Sequence, residues 1–372
     1  MDFSNARKGY SLDTIRSYVK RSNGEAKRFV TSGLGQEQRA LFYVAQHCKK
    51  LQELHYVPSP AGNSLYKAVR AIKGLRKLTL SSSCEISLDL CVDILRSCER
   101  LDDVEFLAID KTIVHSDLSD LPELEHLRMI TLNGSSQAQH QRALEILPKL
   151  KHVYVLNMTR WSFDGDYLHE HGFLEFENLT RLKITGRCRA LLPAFAPSII
   201  DLSINVVRAE RSPTERIQKL PNLVRLSWVD SAISQSFFVL LCSWLLQNKG
   251  NLLELRLDGH NLSTPELQSL VKEGFLDSVE ILSLRQSEFT DEVAESVAES
   301  LHHLKALDIA HTLITGVAVK AVITGVGSIL QSLCLDSCRC VSIDAVEWAR
   351  ARGVHVSFKF PENSSGRKIR SA

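Results

Sequence analysis

Residues 252–262 read LLELRLDGHNL, and this stretch decides the fold. Its first six residues have the form Leu-x-x-Leu-x-Leu, and the same phrase recurs roughly every 25 residues over most of the chain. One repeat of this length cannot bury its own apolar face and must stack on its neighbours. The period therefore outweighs every local motif, and it predicts a solenoid of stacked repeats.

Thirteen copies of the phrase can be followed along the chain. They start at Leu51, Leu75, Leu101, Leu127, Leu150, Leu179, Ile199, Leu223, Leu252, Val279, Leu304 and Leu330, with a last degenerate copy at Val354, Val356 and Phe358. Their mean spacing lies inside the leucine-rich-repeat range of roughly 20 to 29 residues. The best copies also continue into a turn slot, which is occupied by His260, Ser287, Thr312 and Cys338.

Between the phrases, the apolar spacing changes from period two to period 3.6, which indicates helices. Val293, Val297 and Leu301 form one such helical stripe, preceded by Thr290 as a candidate capping residue. Thr264 followed by Pro265 is a second candidate helix start. Parallel strands need crossover connections, so each repeat is predicted to be strand, turn and helix. The predicted class is α/β, a leucine-rich-repeat solenoid with a curved parallel sheet on the concave side and helices and irregular segments on the convex side.

The repeats divide the chain into three predicted regions. Residues 1–50 form N-terminal capping helices and first degenerate repeats, with an amphipathic helix from Leu12 to Val19 and a strand from Arg28 to Thr31. Residues 51–360 form the leucine-rich-repeat solenoid. Residues 361–372 form a polar, basic tail that we expect to be disordered.

The middle of the array is less regular than its ends. Residues 157–178 contain five aromatic side chains without a clear helical stripe, and Pro193 and Pro197 oppose a full helix before Ile199. In one interpretation, extended segments and aromatic residues replace helices on the convex side. In the other, the aromatic segment protrudes as a contact loop.

Composition places the chain among soluble intracellular proteins. It has 372 residues with 45 basic and 43 acidic side chains, and the net charge of +2 argues against a general nucleic-acid binder. The nine cysteines are an odd number without a secretion signal, so reduced thiols are expected. The longest apolar run, Phe237 to Leu246, is too short for a membrane helix. We expect a cytoplasmic or nuclear protein without a membrane contact.

Chemical motifs are weak. Cys334, Cys338 and Cys340 lack the paired spacing of a zinc site and are better explained by packing. His169 and His171 favour a solvated loop, and the glycines at 325 and 327 end a helix instead of opening one. The sequence predicts no catalytic, cofactor or metal site, so we do not expect an enzyme.

The surface most suited to binding follows from the pleat of the strands. In Leu-x-x-Leu-x-Leu the fourth and sixth residues point into the core, so the third, fifth and seventh face the concave side. This predicts a stripe of partner-binding residues comprising His152, Tyr154, Arg181, Lys183, Arg225, Arg256 and Arg285, with Glu254, Asp258, Asp308 and Asp336 toward the C-terminal half. A solvated sheet face would also need polar residues. As a recognition surface, the stripe would hold a partner with an acidic or phosphorylated segment, since Arg binds carboxylate and phosphate in a bidentate manner.

These residues resemble a known family. The irregular period, the Thr-Asp-Glu helix entry at 290–292 and the copy that begins at Leu330 are similar to the ribonuclease-inhibitor-like repeats of F-box/leucine-rich-repeat proteins. Residues 2–8, 15–23 and 47–51 are similar to the stretch that follows the F-box in such proteins. The resemblance covers nearly the whole chain and rests on the pattern of its repeats.

The resemblance implies a non-catalytic substrate receptor of an SCF (cullin-RING) ubiquitin ligase. The repeats of such a receptor bind the target, and its F-box binds the ligase adaptor. This sequence contains no F-box, so we expect either a fragment or a member that binds targets without delivering them to a ligase. No adaptor-contact residue is carried over. The second class that stays open is a free-standing leucine-rich-repeat scaffold or regulator with no link to ubiquitin.

Overall fold

A computed structural model describes the fold of most of the chain. It describes residues 2–3, 11–31, 37–56, 63–80, 88–98, 100–106, 128–133, 153–162, 173–174, 176–188, 195–208, 220–229, 235–248, 250–259 and 262–359. The basic tail predicted at 361–372 lies outside these residues. The chain divides into two compact units, residues 1–187 with 192–199 and residues 188–191 with 200–372.

The first unit contains eight strands and four helices among its described residues. In chain order these are β1 (Asp2–Phe3), α1 (Leu12–Arg21), β2 (Arg28–Thr31), α2 (Glu37–His47), β3 (Glu53–Tyr56), α3 (Asn63–Ala71), β4 (Lys77–Leu80), α4 (Leu88–Ser97), β5 (Asp103–Phe106), β6 (Met129–Asn133), β7 (Val155–Ser162) and β8 (Arg181–Cys188). Each strand pairs in parallel with the next strand along the chain. The predicted helix α1 and strand β2 are confirmed.

The second unit continues the same alternation. Its elements are β9 (Asp201–Arg208), β10 (Arg225–Val229), α5 (Gln235–Gln247), β11 (Glu254–Arg256), α6 (Thr264–Lys272), β12 (Ile281–Ser283), α7 (Asp291–Ser300), β13 (Ala306–Asp308), α8 (Gly316–Val326), β14 (Ser332–Cys334), α9 (Ile343–Arg350) and β15 (His355–Ser357). Here too every strand pairs in parallel with its successor.

The core of each unit is built by the inward leucines of the phrase. Leu255, Leu282, Leu307 and Leu333 are aligned in register on successive strands, and each is at most 2% exposed. Leu54, Leu78, Val104, Ile130, Leu156 and Leu182 form the same row in the first unit. The crossover helices bury their apolar stripes as the sequence predicts, for example Val293 and Val297 of α7. The predicted class is therefore confirmed: the chain is an α/β solenoid of leucine-rich-repeat type.

One copy of the phrase was placed wrongly. The sequence around Leu150 fits the phrase twice, because Leu150, Val153 and Val155 have the same spacing as Val153, Leu156 and Met158. The strand register pairs Ile130 with Leu156, and both Leu156 and Met158 are fully buried. The copy therefore starts at Val153, three residues later than predicted.

The two predicted helix starts have different capping. Thr290 occupies the N-cap position of α7, as predicted, but its buried hydroxyl makes no capping hydrogen bond. The N-cap of α6 is Ser263 instead of Thr264, because the Glu266 carboxylate accepts hydrogen bonds from the Ser263 amide and hydroxyl, both at 2.8 Å. This reciprocal capping box fixes the first turn one residue earlier than the sequence suggested.

The turn after each strand in the second unit has a repeated backbone conformation. Gly259, Gln286, His311 and Ser337 occupy equivalent positions and have φ values of 75°, 59°, 61° and 62°. Each donates its amide to a carbonyl of the next repeat. In the slot that follows, the hydroxyls of Ser287 and Thr312 each donate at 2.7 Å to the carbonyl three residues earlier. The Ser287 and Thr312 hydroxyls thus satisfy backbone carbonyls of their own turn, which is the role that asparagine or cysteine has at this slot in regular repeats.

The irregular middle contains longer strands and, within the described parts of residues 157–222, no helix. Strands β7, β8 and β9 have eight residues each. Phe173 and Phe176 are buried, and their rings are in a T-shaped, edge-to-face arrangement with centroids 5.9 Å apart. These two aromatics pack inside the first unit and do not protrude, whereas Tyr167 lies outside the described residues.

Candidate functional site

The candidate site is the face of the strands opposite the buried leucine row. We call this the open face and define it by the side chains at the third, fifth and seventh positions, counted from the first residue of each phrase. Parallel sheets usually bury both faces. Here the open face brings charged side chains to solvent, including Arg181, Lys183 and Arg256. The prediction that alternate strand residues form this face is borne out by the burial pattern of β3 and β10.

In the first unit, charges of opposite sign alternate along the open face. The third-position residues of β2 to β5 are Arg28, Glu53, Lys77 and Asp103, each in register with the next. Arg28 lies 3.4 Å from the Glu53 carboxylate, and Lys77 lies 2.5 Å from that of Asp103. These cross-strand pairs leave little net charge at this end of the face.

Strand β8 carries two of the predicted binding residues. Arg181 and Lys183 are both exposed and occupy its third and fifth positions. Their register partners on β7 are Val155 and Asn157, which are uncharged. Both cations of this strand are exposed, so an anionic ligand can reach them from solvent.

The structure gives a different result for the other two predicted binding residues of this region, Tyr154 and His152. Tyr154 precedes β7 and occupies the second position of its phrase, because the copy starts at Val153. Its ring lies under the Arg128 guanidinium at 5.1 Å, and its carbonyl accepts the amides of Thr180 and Arg181. Tyr154 is thus beside the open face and not on it. His152 lies outside the described residues.

In the second unit, each predicted cation faces a carboxylate. Arg225 donates to Asp201 across β9 and β10 at 3.2 Å. Arg256 donates to Glu254 on its own strand at 2.5 Å. Arg285 lies 3.8 Å from the Asp308 carboxylate.

The sequence predicts a stripe of cations for an acidic partner, with carboxylates toward its C-terminal half. In the second unit the structure pairs each of these cations with a carboxylate. Exposed ion pairs of this kind contribute little stability and can exchange partners. The arginines thus keep a capacity to bind carboxylates only in competition with Asp201, Glu254 and Asp308.

Aspartates of the open face also organise the backbone. The Ser283 hydroxyl and the Arg285 amide donate to Asp258, at 2.5 and 3.2 Å. The Ser357 hydroxyl donates to Asp336 at 2.8 Å. Asp258 and Asp336 therefore join neighbouring repeats and are less available to a ligand than their sequence positions suggested.

The described cysteines are buried or partly buried except Cys340, which is exposed, so the packing explanation is wrong for that residue. The buried Cys338 thiol donates to the Ile309 carbonyl at 3.2 Å. Burial raises the pKa of the Cys98 and Cys242 thiols to about 11, and burial also raises the pKa of Cys334. A thiol with a raised pKa is protonated at neutral pH and is a poor nucleophile and metal ligand. Among the described residues, no group of three or more metal-binding side chains converges.

No described helix combines the length and the apolar character needed to cross a membrane.

Besides the open face, the structure has a second polar surface that the sequence did not predict. Cations at the second position of the phrase, such as Arg76 and Arg128, lie at the edge of the first unit where its strands begin. The sequence does contain a signal for this surface. In three alternate repeats, a basic residue occupies the second position of the phrase.

No family model and no curated protein matches the sequence. Among solved structures, the chain is similar to the yeast complex of Rad7 and Elc1, with a TM-score of 0.47 and 13% identity over 94% of this chain and 88% of that chain. It is also similar to a protein from Bacteroides fragilis, with a TM-score of 0.37 and 14% identity over 68% of this chain and 69% of that one.

Proposed function

We propose that this chain is a non-catalytic protein-binding module that holds a target protein against the open face of its strands. The observation that carries the proposal is the exposure of charged side chains on one face of a parallel sheet, at Arg181 and Lys183 above all. In most parallel sheets a second layer of helices covers this face, whereas here the side chains are accessible to a partner.

The form of this face favours a macromolecule over a small ligand. Its side chains stand in rows, one per repeat, at the strand spacing of about 4.8 Å. Small-molecule sites are instead concave and largely apolar. The chain's net charge of +2 does not favour a general nucleic-acid partner.

The target is proposed to contact β8 through an acidic or phosphorylated segment. Arg181 can bind a carboxylate or phosphate in a bidentate manner, and Lys183 adds a point charge beside it. In the second unit, an acidic segment would have to displace Asp201 from Arg225 or Glu254 from Arg256. Arg181 and Lys183 are exposed, whereas Arg225 and Arg285 are partly buried. We therefore assign the main electrostatic contact to β8 and a secondary one to Arg225, Arg256 and Arg285.

The finer proposal is that the module is the substrate-recognition part of an F-box-type ubiquitin ligase receptor. Its support is the pattern of the repeats, which resembles F-box/leucine-rich-repeat proteins. The second candidate is a free-standing scaffold or regulator, and the fold of the two units is equally compatible with it. Co-purification of a cullin and its adaptor with the tagged protein would favour the receptor. A stable partner without them would favour the scaffold.

The binding proposal is tested by reversing the charges on β8. Arg181→Glu with Lys183→Glu should abolish capture of the partner that the wild-type protein retains, because both cations would become repulsive to an acidic segment. The matched control is Lys272→Glu with Lys320→Glu, which makes the same change in net charge on exposed helix positions of α6 and α8. Thermal unfolding of both variants should follow that of the wild type. Undiminished capture by the β8 variant would remove the open face as the binding site.

A further inference from the structure

A basic groove lies along the edge of the first unit at which the strands begin. It has a volume of about 680 Å³. It is lined by Lys27, Lys49, Lys50, Gln52, Gly74, Arg76, Arg100, Asp102 and Arg128. All of these residues belong to one unit, and none was singled out from the sequence.

The repeat itself builds one wall of this groove. Lys27, Gln52, Arg76, Asp102 and Arg128 occupy the second position of consecutive phrases. The carbonyl of each accepts two amides from the next repeat, as the Lys27 carbonyl does from Gln52 and Glu53 at 2.8 and 2.9 Å. This ladder stacks the five side chains at the strand spacing of about 4.8 Å. The cations Lys27, Arg76 and Arg128 therefore recur on alternate strands.

The turns between helices and strands supply the other wall. Lys49 and Lys50 follow α2, and Arg100 follows α4. Gly74 lies between them in the turn after α3, where an added Cβ would come within 3.3 Å of the Leu51 carbonyl. At this point the wall of the groove is therefore formed by the main chain of Gly74.

The charges of the groove are unbalanced. Among the described lining residues there are six cations and one carboxylate, that of Asp102, which accepts two hydrogen bonds from Arg76 at 2.9 and 2.6 Å. Lys50 pairs with Glu25 at 2.7 Å. Within the part of the chain that the structure describes, Lys27, Lys49 and Arg100 have no ion pair, so at least three positive charges stand uncompensated around one concavity.

Helix dipoles account for only part of this charge. Cations are favourable near helix C-termini, and that explanation covers Lys49, Lys50 and Arg100. The effect falls off within about one turn, so it does not reach the second-position cations Lys27, Arg76 and Arg128. Like charges gathered in a concavity repel one another and raise its positive potential, which concentrates anions there.

We propose that this basic groove binds an acidic segment of a partner protein in an extended conformation. Cations on alternate strands are roughly 9.6 Å apart, which is close to the repeat of about 9.3 Å after which side chains of an extended polyproline II segment return to the same side. A segment with carboxylates or phosphates at every third residue would match Lys27, Arg76 and Arg128 in turn. The described lining contains no aromatic side chain on which nucleic-acid bases could stack, which favours a peptide over a single strand.

The groove is separate from the open face. Its side chains come from the second position and from turns, whereas the open face uses the third, fifth and seventh positions. The two surfaces can therefore be tested independently, and either can fail without the other.

The test uses the full chain and a fluorescein-labelled peptide of ten glutamates, with binding followed by fluorescence anisotropy at low salt. Saturable binding is expected, and it should weaken steeply as salt is raised. Lys49→Glu with Arg100→Glu should lower affinity at least tenfold, and Lys49→Gln with Arg100→Gln should lower it by a smaller factor. The control is Lys272→Glu with Lys320→Glu, which makes the same change in net charge and should stay within twofold of wild type.

Three results would overturn the proposal. One is an equal loss in the groove and control variants, which would indicate only general charge attraction. Another is unchanged affinity in the groove variants. The third is tighter binding of a single-stranded DNA decamer than of the peptide, with the same variants weakening it, which would assign the groove to nucleic acid. Failed partner capture by the Arg181 and Lys183 variant, with peptide binding intact, would instead concern the open face alone.

Discussion

At the residue scale, one position in the turn after each strand has a left-handed backbone in four repeats, although the residue at that position differs. Gly259 adopts this conformation without steric cost, whereas Gln286, His311 and Ser337 adopt it with a Cβ. The conformation persists because each amide continues the ladder into the next repeat. The hydrogen-bond pattern of the solenoid, and not the intrinsic preference of the residue, sets the backbone here.

This predicts opposite effects for two substitutions at equivalent positions. Gly259→Ala should lower the free energy of unfolding by about 1 kcal/mol, because an L-residue is strained in this region. Steric room is not the cause, since the nearest atoms to a new Cβ would be 3.8 and 4.0 Å away. His311→Gly should raise the free energy of unfolding by about 0.5 kcal/mol after the entropic cost of glycine. Denaturant titrations of both variants check the pair, and equal signs would contradict the explanation.

The sequence shows which residues point inward, and it shows less about what their outward neighbours do. Period two identified Leu255, Leu282 and Leu307 correctly, because a strand gives alternate residues opposite faces. It misplaced Tyr154, because two overlapping phrases fit the same stretch. It also could not show that Arg225 meets Asp201, since this contact joins residues 24 positions apart. The pairing of Arg256 with Glu254 was foreseeable, because residues two apart on a strand share a face.

At the element scale, strands of the second unit are only three residues long from β11 onward, so they depend on their neighbours. Each strand contributes one fully buried fourth-position residue to a continuous row. The helices α6, α7 and α8 pack successively beside one another. Stability is therefore shared between adjacent repeats more than it is held within any one of them.

Removing one side chain of this row should affect more than its own repeat. Leu255→Ala or Leu282→Ala should cost about 2 to 5 kcal/mol, the usual range for emptying a buried leucine site. Arg256→Ala is the matched control, because Arg256 is adjacent in sequence but points to the exposed side. Hydrogen exchange should show faster exchange in the repeats on both sides of each leucine variant. A melting temperature within a degree of wild type would mean that these leucines are not core residues.

At the scale of the whole molecule, the two units share one building principle and offer different surfaces. The open face of the first unit ends in Arg181 and Lys183, whereas that of the second is a network of ion pairs and aspartate hydrogen bonds. The basic groove is a further surface that favours anionic ligands, at the edge of the first unit where its strands begin. The period along the chain predicted the fold. The division of charge between surfaces could not be read from it, because that division depends on contacts between repeats.

The central claim is that the open face holds the partner, and site-specific photo-crosslinking tests it most directly. A photoreactive phenylalanine analogue would replace Lys183 on β8 in one variant and Lys272 on α6 in another, and the partner retained by the tagged protein would be irradiated with each. The account predicts a covalent adduct with the partner from position 183 and none from position 272. An adduct from position 272 alone, or equal adducts from both, would contradict it.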